Sequence, residues 1–138
     1  MSTNITDALI DSVVSDIGKN VSSYFAGMNS VGFTMQNPKV VSKGLPKLNW
    51  ESPSIYVFPD QTERIDKYVY RVRVTTLYLV RGNTVDQIAK RAARGADALG
   101  QLIMDKYSVR SISYQFEYGV PDGKQEAAVE ISAEIVTS

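Results

Sequence analysis

The longest regular stretch of the chain is a two-residue alternation over 68–80. One face carries Tyr68, Tyr70, Val72, Val74, Thr76, Tyr78 and Val80; the other carries Val69, Arg71, Arg73, Thr75, Leu77 and Leu79. A period of two predicts a strand. At roughly 3.3 Å per residue it would run about 43 Å, more than twice the usual strand of about 5–6 residues. The first face suits a core. The second begins charged and ends apolar, so Leu77 and Leu79 need a cover of their own. Two covers are available: a neighbouring subunit, or the chain's own segment 28–52.

Residues 6–27 are predicted helical. Ile10, Val14, Ile17, Val21 and Phe25 recur at helical spacing, and Leu9, Val13 and Tyr24 widen the stripe. Thr6 suits the N-cap and Asp7 the first turn. So wide a stripe belongs to a core helix or to one that touches two partners. Its polar face carries Asp11, Asp16 and serines instead of a basic row, which argues against a membrane-surface helix. A short strand over 54–58 is ended by Pro59-Asp60.

Past the long strand, Gly82-Asn83 turns the chain, and Thr84-Val85-Asp86-Gln87 reads as a capping box for a helix running to about Tyr107. Val85, Ile88, Ala89, Ala92, Ala96, Leu99 and Ile103 form its inner face, and the alanines permit close approach. Lys90, Arg91 and Arg94 lie on the outer face, with Asp86 and Asp97 at helical spacing as partners. That pattern describes a solvated, paired surface better than a nucleic-acid site. Ile112, Tyr114, Phe116 and Tyr118 alternate with polar residues in a third strand. After a turn at Pro121-Asp122, residues 127–135 alternate in a fourth.

The order is helix-strand-strand, twice. It predicts an α+β fold with both helices on one face of a four-stranded sheet. The second helix crosses over between the second and third strands and makes them parallel. The fourth strand then slots between them as in a split βαβ unit, giving the order 1-2-4-3 with antiparallel neighbours throughout. This places Arg71 and Arg73 beside Glu130 and Glu134 on the face away from the helices, where opposite charges contribute about 0.2–1 kcal/mol per pair. Residues 1–138 form a single domain, and segment 28–52 is its irregular part, punctuated by Gly32, Pro38, Gly44 and Pro46. That segment carries Lys39, Lys43 and Lys47 with no acid until Glu51. It is a solvated loop, or an arm that contacts a partner or lies near DNA phosphates.

Composition mainly removes possibilities. With 43% hydrophobic and 22% charged residues, the chain reads as globular. It has no histidine and no cysteine, which excludes Ser-His-Asp and Cys-His catalysis, Cys-ligated zinc and disulfides. Lys and Arg balance Asp and Glu, 15 against 15, so no broad cationic surface is implied. Gly95 and Gly100 lie inside a helix and make no phosphate loop. Asp60, Glu63 and Asp66 cluster in one predicted loop, too few oxygen ligands for a hard cation. No metal or cofactor is expected. No signal peptide is expected either, since Asp7 and Asp11 interrupt any apolar region near the start. No apolar run approaches the roughly 18 residues of a membrane span.

The layout resembles a known family. A leading helix precedes "PSIYVFPDQTERIDKYVYRVRVTTLYLV", a short strand and then a long one. "NTVDQIAKRAARGADALGQLIM" follows as a helix rich in small residues, and "SISYQFEYGVPDGKQEAAVEISAEIV" closes as a hairpin. In size, element order and hydrophobic rhythm this is similar to the tail-terminator proteins of tailed bacteriophages, and more loosely to their neck and tail-completion relatives. The resemblance covers the first helix and most of the chain from Pro53 onward; segment 28–52 departs from it. It implies a structural virion protein of the tail or neck, assembled in the host cytoplasm. Such a protein forms a homo-oligomeric ring, typically hexameric. The ring caps the tail tube, ends its polymerisation and meets the head-tail connector or neck protein. DNA only passes through the lumen. The resemblance implies no catalysis, no cofactor and no membrane partner.

Arg71, Arg73, Leu77 and Leu79 are therefore the candidate subunit-interface residues, and Lys39, Lys43 and Lys47 the candidate partner-contact residues. A second class of function fits the residues alone: a small α+β ligand-binding or regulatory domain. Oligomer mass separates the two, since a ring-former assembles and a regulatory domain stays a monomer or dimer.

Overall fold

A computed structural model describes residues 4–82, 84–120 and 124–138. Asn83, Pro121 and Asp122 of the two predicted turns lie outside the described residues, as does the side chain of Val85. The element order is α1 (Ile5–Ala26), β1 (Val40–Lys43), β2 (Ser54–Asp66), β3 (Val69–Gly82), α2 (Val85–Lys106), β4 (Val109–Gly119) and β5 (Gln125–Thr137). The class is α+β, as the pattern implies.

The sheet departs from the expected one. It has five strands instead of four, in the order β1-β2-β3-β5-β4, and it is mixed. The added strand is β1, which pairs parallel to β2 from Val40 opposite Ser54 to Lys43 opposite Val57. It lies in segment 28–52, so that segment is not wholly irregular. The remaining pairs, β2 with β3, β3 with β5, and β4 with β5, are antiparallel. Gly44 ends β1 at φ 95°, a left-handed conformation that only glycine adopts cheaply, and its N–H donates to Val57 O at 2.8 Å.

The length of residues 68–80 is explained by β2. Pro59-Asp60 does not end that strand. A register shift between Pro59 and Gln61 absorbs the proline, and β2 continues to Asp66 as the antiparallel partner of β3. Asp60, Glu63 and Asp66 consequently sit on a strand, not in a loop. Thr75 Oγ1 donates to Asp60, Glu63 faces Arg71, and Asp66 accepts from the Lys67 N–H at the hairpin turn.

Both helices pack on one face of the sheet. From α1 that core takes Val13, Ile17, Val21 and Phe25; from α2, Ile88, Ala92, Ala96, Leu99 and Ile103; from the sheet, Ile55, Val57, Val72, Val74, Tyr78, Val80 and alternate residues of β5. Ala98 and Leu102 are buried too, because α2 meets α1 as well as the sheet. The close approach that the alanines permit is tightest at Gly95, where an added Cβ would overlap the Tyr78 ring. The N-cap of α1 is Asn4, whose side chain accepts from the Asp7 N–H, and not Thr6; the Thr6 hydroxyl instead meets that of Thr62, 2.7 Å away. Thr84 caps α2 through Gln87 N–H, as the motif predicts.

Candidate functional site

The face of the sheet away from the helices carries the residues marked as interface candidates. Along β3 it presents Arg71, Arg73, Thr75, Leu77, Leu79 and Arg81, paired on the β2 side with Glu63, Gln61, Phe58, Tyr56 and Ser54 for the first five. Leu79 is only 7% exposed within a single chain. Ser54 is opposite it on β2 and Ala128 on β5. Trp50 lines the same small recess, together with Tyr118 and Glu126. Trp50 is held there by Arg81, whose guanidinium lies over the indole at 3.9 Å and bonds Trp50 O at 3.3 Å. Such a cation–π contact is worth about 0.5–1 kcal/mol near the surface. The Arg81 N–H adds a bond to Ser52 Oγ at 2.9 Å. The end of segment 28–52 thus folds back beside the apolar end of β3. Leu77, opposite Tyr56, stays half-buried.

Arg71 and Arg73 lie near the other end of that face. Arg71 Nε is 2.7 Å from Glu134, and its Nη1 is 3.7 Å from Glu63. The Nε–H does not point along the short contact, so this is an ion pair without an aligned hydrogen bond. Arg73 is exposed and sits in register with Glu134, while Glu130 faces Leu77. Of the expected arginine–glutamate pairs, Arg71 with Glu134 is the one within contact distance among the described residues. Gln61, Glu63, Arg71, Arg73 and Glu134 line a shallow recess of about 260 Å³, open to solvent and close to charge-balanced.

The three lysines of segment 28–52 are all exposed. Lys43 is the last residue of β1 and pairs with Asp11 of α1 at 2.9 Å. That hydrogen bond holds the Lys43 pKa above its ordinary value. Lys39 uses its backbone, donating to Pro53 O at 2.8 Å, and leaves its side chain in water. The basic residues of α2 also differ from expectation. Arg94 does not pair with Asp97. It donates to Met28 O and Ser30 Oγ, both at 2.8 Å, and stacks on Phe33 at 4.7 Å, with Lys90 on the same ring at 5.5 Å. The outer face of α2 is therefore a clamp on the start of segment 28–52.

One surface is missing from the sequence-derived candidates. Strand β4 is an edge strand, paired on one side to β5 along nearly its whole length. Its Tyr114, Phe116 and Tyr118 point to the helix side, opposite the buried Ile131, Val129 and Ala127 of β5, yet they are 37–58% exposed. The alternation correctly assigns them to that face. It carries no information on whether a helix lies above them, and α2 sits over β3 and β5 more than over β4. Tyr114 alone is tucked in, its hydroxyl against Gly100, and burial raises its pKa.

No cluster of acids able to hold a metal ion occurs among the described residues, and no described helix is long and apolar enough to cross a membrane. No protein-family model matches the chain, and no curated protein matches it in sequence.

Proposed function

We propose that the chain is a structural subunit of a phage tail. In this reading it closes into a ring, typically of six copies, that caps the tail tube, ends its polymerisation and joins the tail to the head connector. What supports the tail assignment is the layout: a leading helix, a long central strand, a helix rich in small residues and a closing hairpin, as in tail terminators, with the short β1 as an addition to that pattern. The observation that favours an assembling subunit is β4, an open edge strand of 11 residues with a row of exposed aromatic side chains. Monomeric proteins blunt such edges with lysine, proline or a covering loop. Between Ser111 and Tyr118 the only charge is Glu117.

The role is structural, with DNA passing only through the lumen of the ring and no cofactor involved. The contacts that matter are with other copies, with the tube protein and with the neck. Localisation in the virion tests the reading. Immunogold labelling is expected to mark the head-proximal end of the tail, and particles made without the chain are expected to carry tubes of uncontrolled length. A virion whose tail, tube and neck all lack the chain refutes it.

A further inference from the structure

Residues 45–53 join β1 to β2 as a strap on the sheet face away from the helices. Both of its ends are tied down: Gly44 N–H donates to Val57 O and Lys39 N–H to Pro53 O, each at 2.8 Å. Between those ties, among the described residues, 45–51 make no backbone–backbone hydrogen bond. Leu45 and Leu48 stand in water, 74% and 97% exposed, and Lys47 and Asn49 are exposed beside them. Of Leu45, Leu48 and Trp50, only Trp50 is turned onto the sheet, into the recess with Leu79. The polar contacts that hold this end of the strap all come from Arg81. Its guanidinium lies over the indole, its Nη1 donates to Trp50 O, and its backbone N–H donates to Ser52 Oγ. Arg81 is in turn fixed by Glu126, its register partner on β5, which accepts from Nε at 2.7 Å.

We propose that residues 45–52 open as a unit while the rest of the fold stands, and that the Arg81–Glu126 pair is the latch that keeps them closed. Closed, Trp50 shelters Leu79. Open, the strap bares Leu79 beside the half-buried Leu77 and frees Trp50 to join Leu45 and Leu48 in one apolar arm. The chain thereby withholds the apolar end of its long strand until the latch lets go. Opening loses one ring contact and the bonds from Arg81, and it returns backbone freedom to the strap. The core beneath the helices is untouched, since none of Leu45, Leu48 and Trp50 belongs to it. Segments with few buried contacts and few backbone hydrogen bonds open well below the cost of global unfolding. The device concerns a single chain and stands whether or not the ring reading does.

Trp50 is the chain's one tryptophan, so its emission, excited beyond the tyrosine band, reports the strap alone. Urea unfolding of the full chain is followed by that emission and by far-ultraviolet circular dichroism. The emission is expected to shift at lower urea and with a shallower slope, because opening exposes less surface than unfolding. Glu126→Gln keeps the side chain's shape and removes its charge. It is expected to raise the open fraction about three- to tenfold, the range for a part-exposed charged hydrogen bond. The emission transition then moves to lower urea while the dichroism transition stays near that of the parent. Coincident transitions in parent and variant mean that the strap opens only with the whole fold, and overturn the proposal. Emission that is already that of free tryptophan without urea means a strap with no closed state, and overturns it too. Leu79→Cys gives a second reading, since the chain has no other thiol. Its labelling by an aromatic disulfide is expected to depend little on urea below the unfolding transition, and to speed up about three- to tenfold with Glu126→Gln. Labelling that follows the slope of global unfolding overturns the proposal. If a melt shows that Leu79→Cys does not fold, the emission of the parent and of Glu126→Gln decides.

Discussion

Leu79→Ala measures how the apolar end of the long strand is covered. The substitution removes three carbons from a side chain that is 7% exposed. At about 0.8 kcal/mol per buried carbon the transfer loss is about 2.4 kcal/mol, and a residual cavity raises such changes toward 5 kcal/mol. The recess beside Trp50 is open, so the site can partly collapse and the expected loss is about 2.5–3.5 kcal/mol. That is a large part of a domain stability of about 5–15 kcal/mol. For a chain of this length it corresponds to a fall in melting temperature of about 8–12 °C. Urea unfolding gives the free energy directly, as a lower midpoint at unchanged slope. Leu77→Ala, at a half-buried site, is expected to cost less than half as much. If Trp50 is the cover, Leu79→Ala and Trp50→Ala are coupled in a double-mutant cycle by more than about 0.5 kcal/mol. A Leu79→Ala protein within about 0.5 kcal/mol of the parent refutes burial by the chain itself and returns Leu79 to the subunit interface.

Three further outcomes follow from named contacts. The hydrogen bond from Tyr24 Oη to Asp105, 2.6 Å, is the main reason the Asp105 pKa lies below its ordinary value; Tyr24→Phe is therefore expected to raise it, read by NMR titration. A depressed carboxylate contributes stability above its unfolded pKa and loses it as pH falls through the folded one, so parent and variant should converge in stability at acid pH; a gap that widens there contradicts the assignment. Arg94→Ala is expected to release residues 28–35 from α2 and speed proteolysis in that segment while the melt changes by only a few degrees; unchanged cleavage shows that the clamp is not needed. Gly95→Ala is expected to lower stability by about 1–3 kcal/mol, because its Cβ meets the buried Tyr78 ring in a packed core; a neutral or stabilising change, as alanine gives in an open helix, refutes that packing.

The two helices and strands β3, β4 and β5 are legible because each repeats its period over many residues; of β2 only the short apolar run 54–58 is. α2 is the clearest, with Ile88, Ala92, Ala96, Leu99 and Ile103 all buried on the face that the spacing assigns. The fifth strand is not legible. Val40–Lys43 is four residues long and half-buried at most, so it has no alternation to read, and its partner Ser54–Val57 lies across a loop in parallel register. The continuation of β2 past Pro59 is hidden for a related reason: proline normally stops a strand, and only the paired half of β3 shows that here it does not. The candidate surfaces divide in the same way. The Arg71–Glu134 pair follows from strand order and parity alone. The cover over Leu79 depends on where Trp50 returns, and the exposure of Phe116 and Tyr118 depends on where α2 stops covering the sheet. Neither is a property of local sequence.

On the proposed reading, this chain assembles by closing on copies of itself. Native mass spectrometry of the chain released intact from tail tubes tests it most directly. A ring-forming subunit is expected to give one discrete species at six times the 15.3 kDa chain, or another single closed multiple, lost when Phe116 on β4 is replaced by aspartate. A chain that remains monomeric on tubes at every concentration contradicts it.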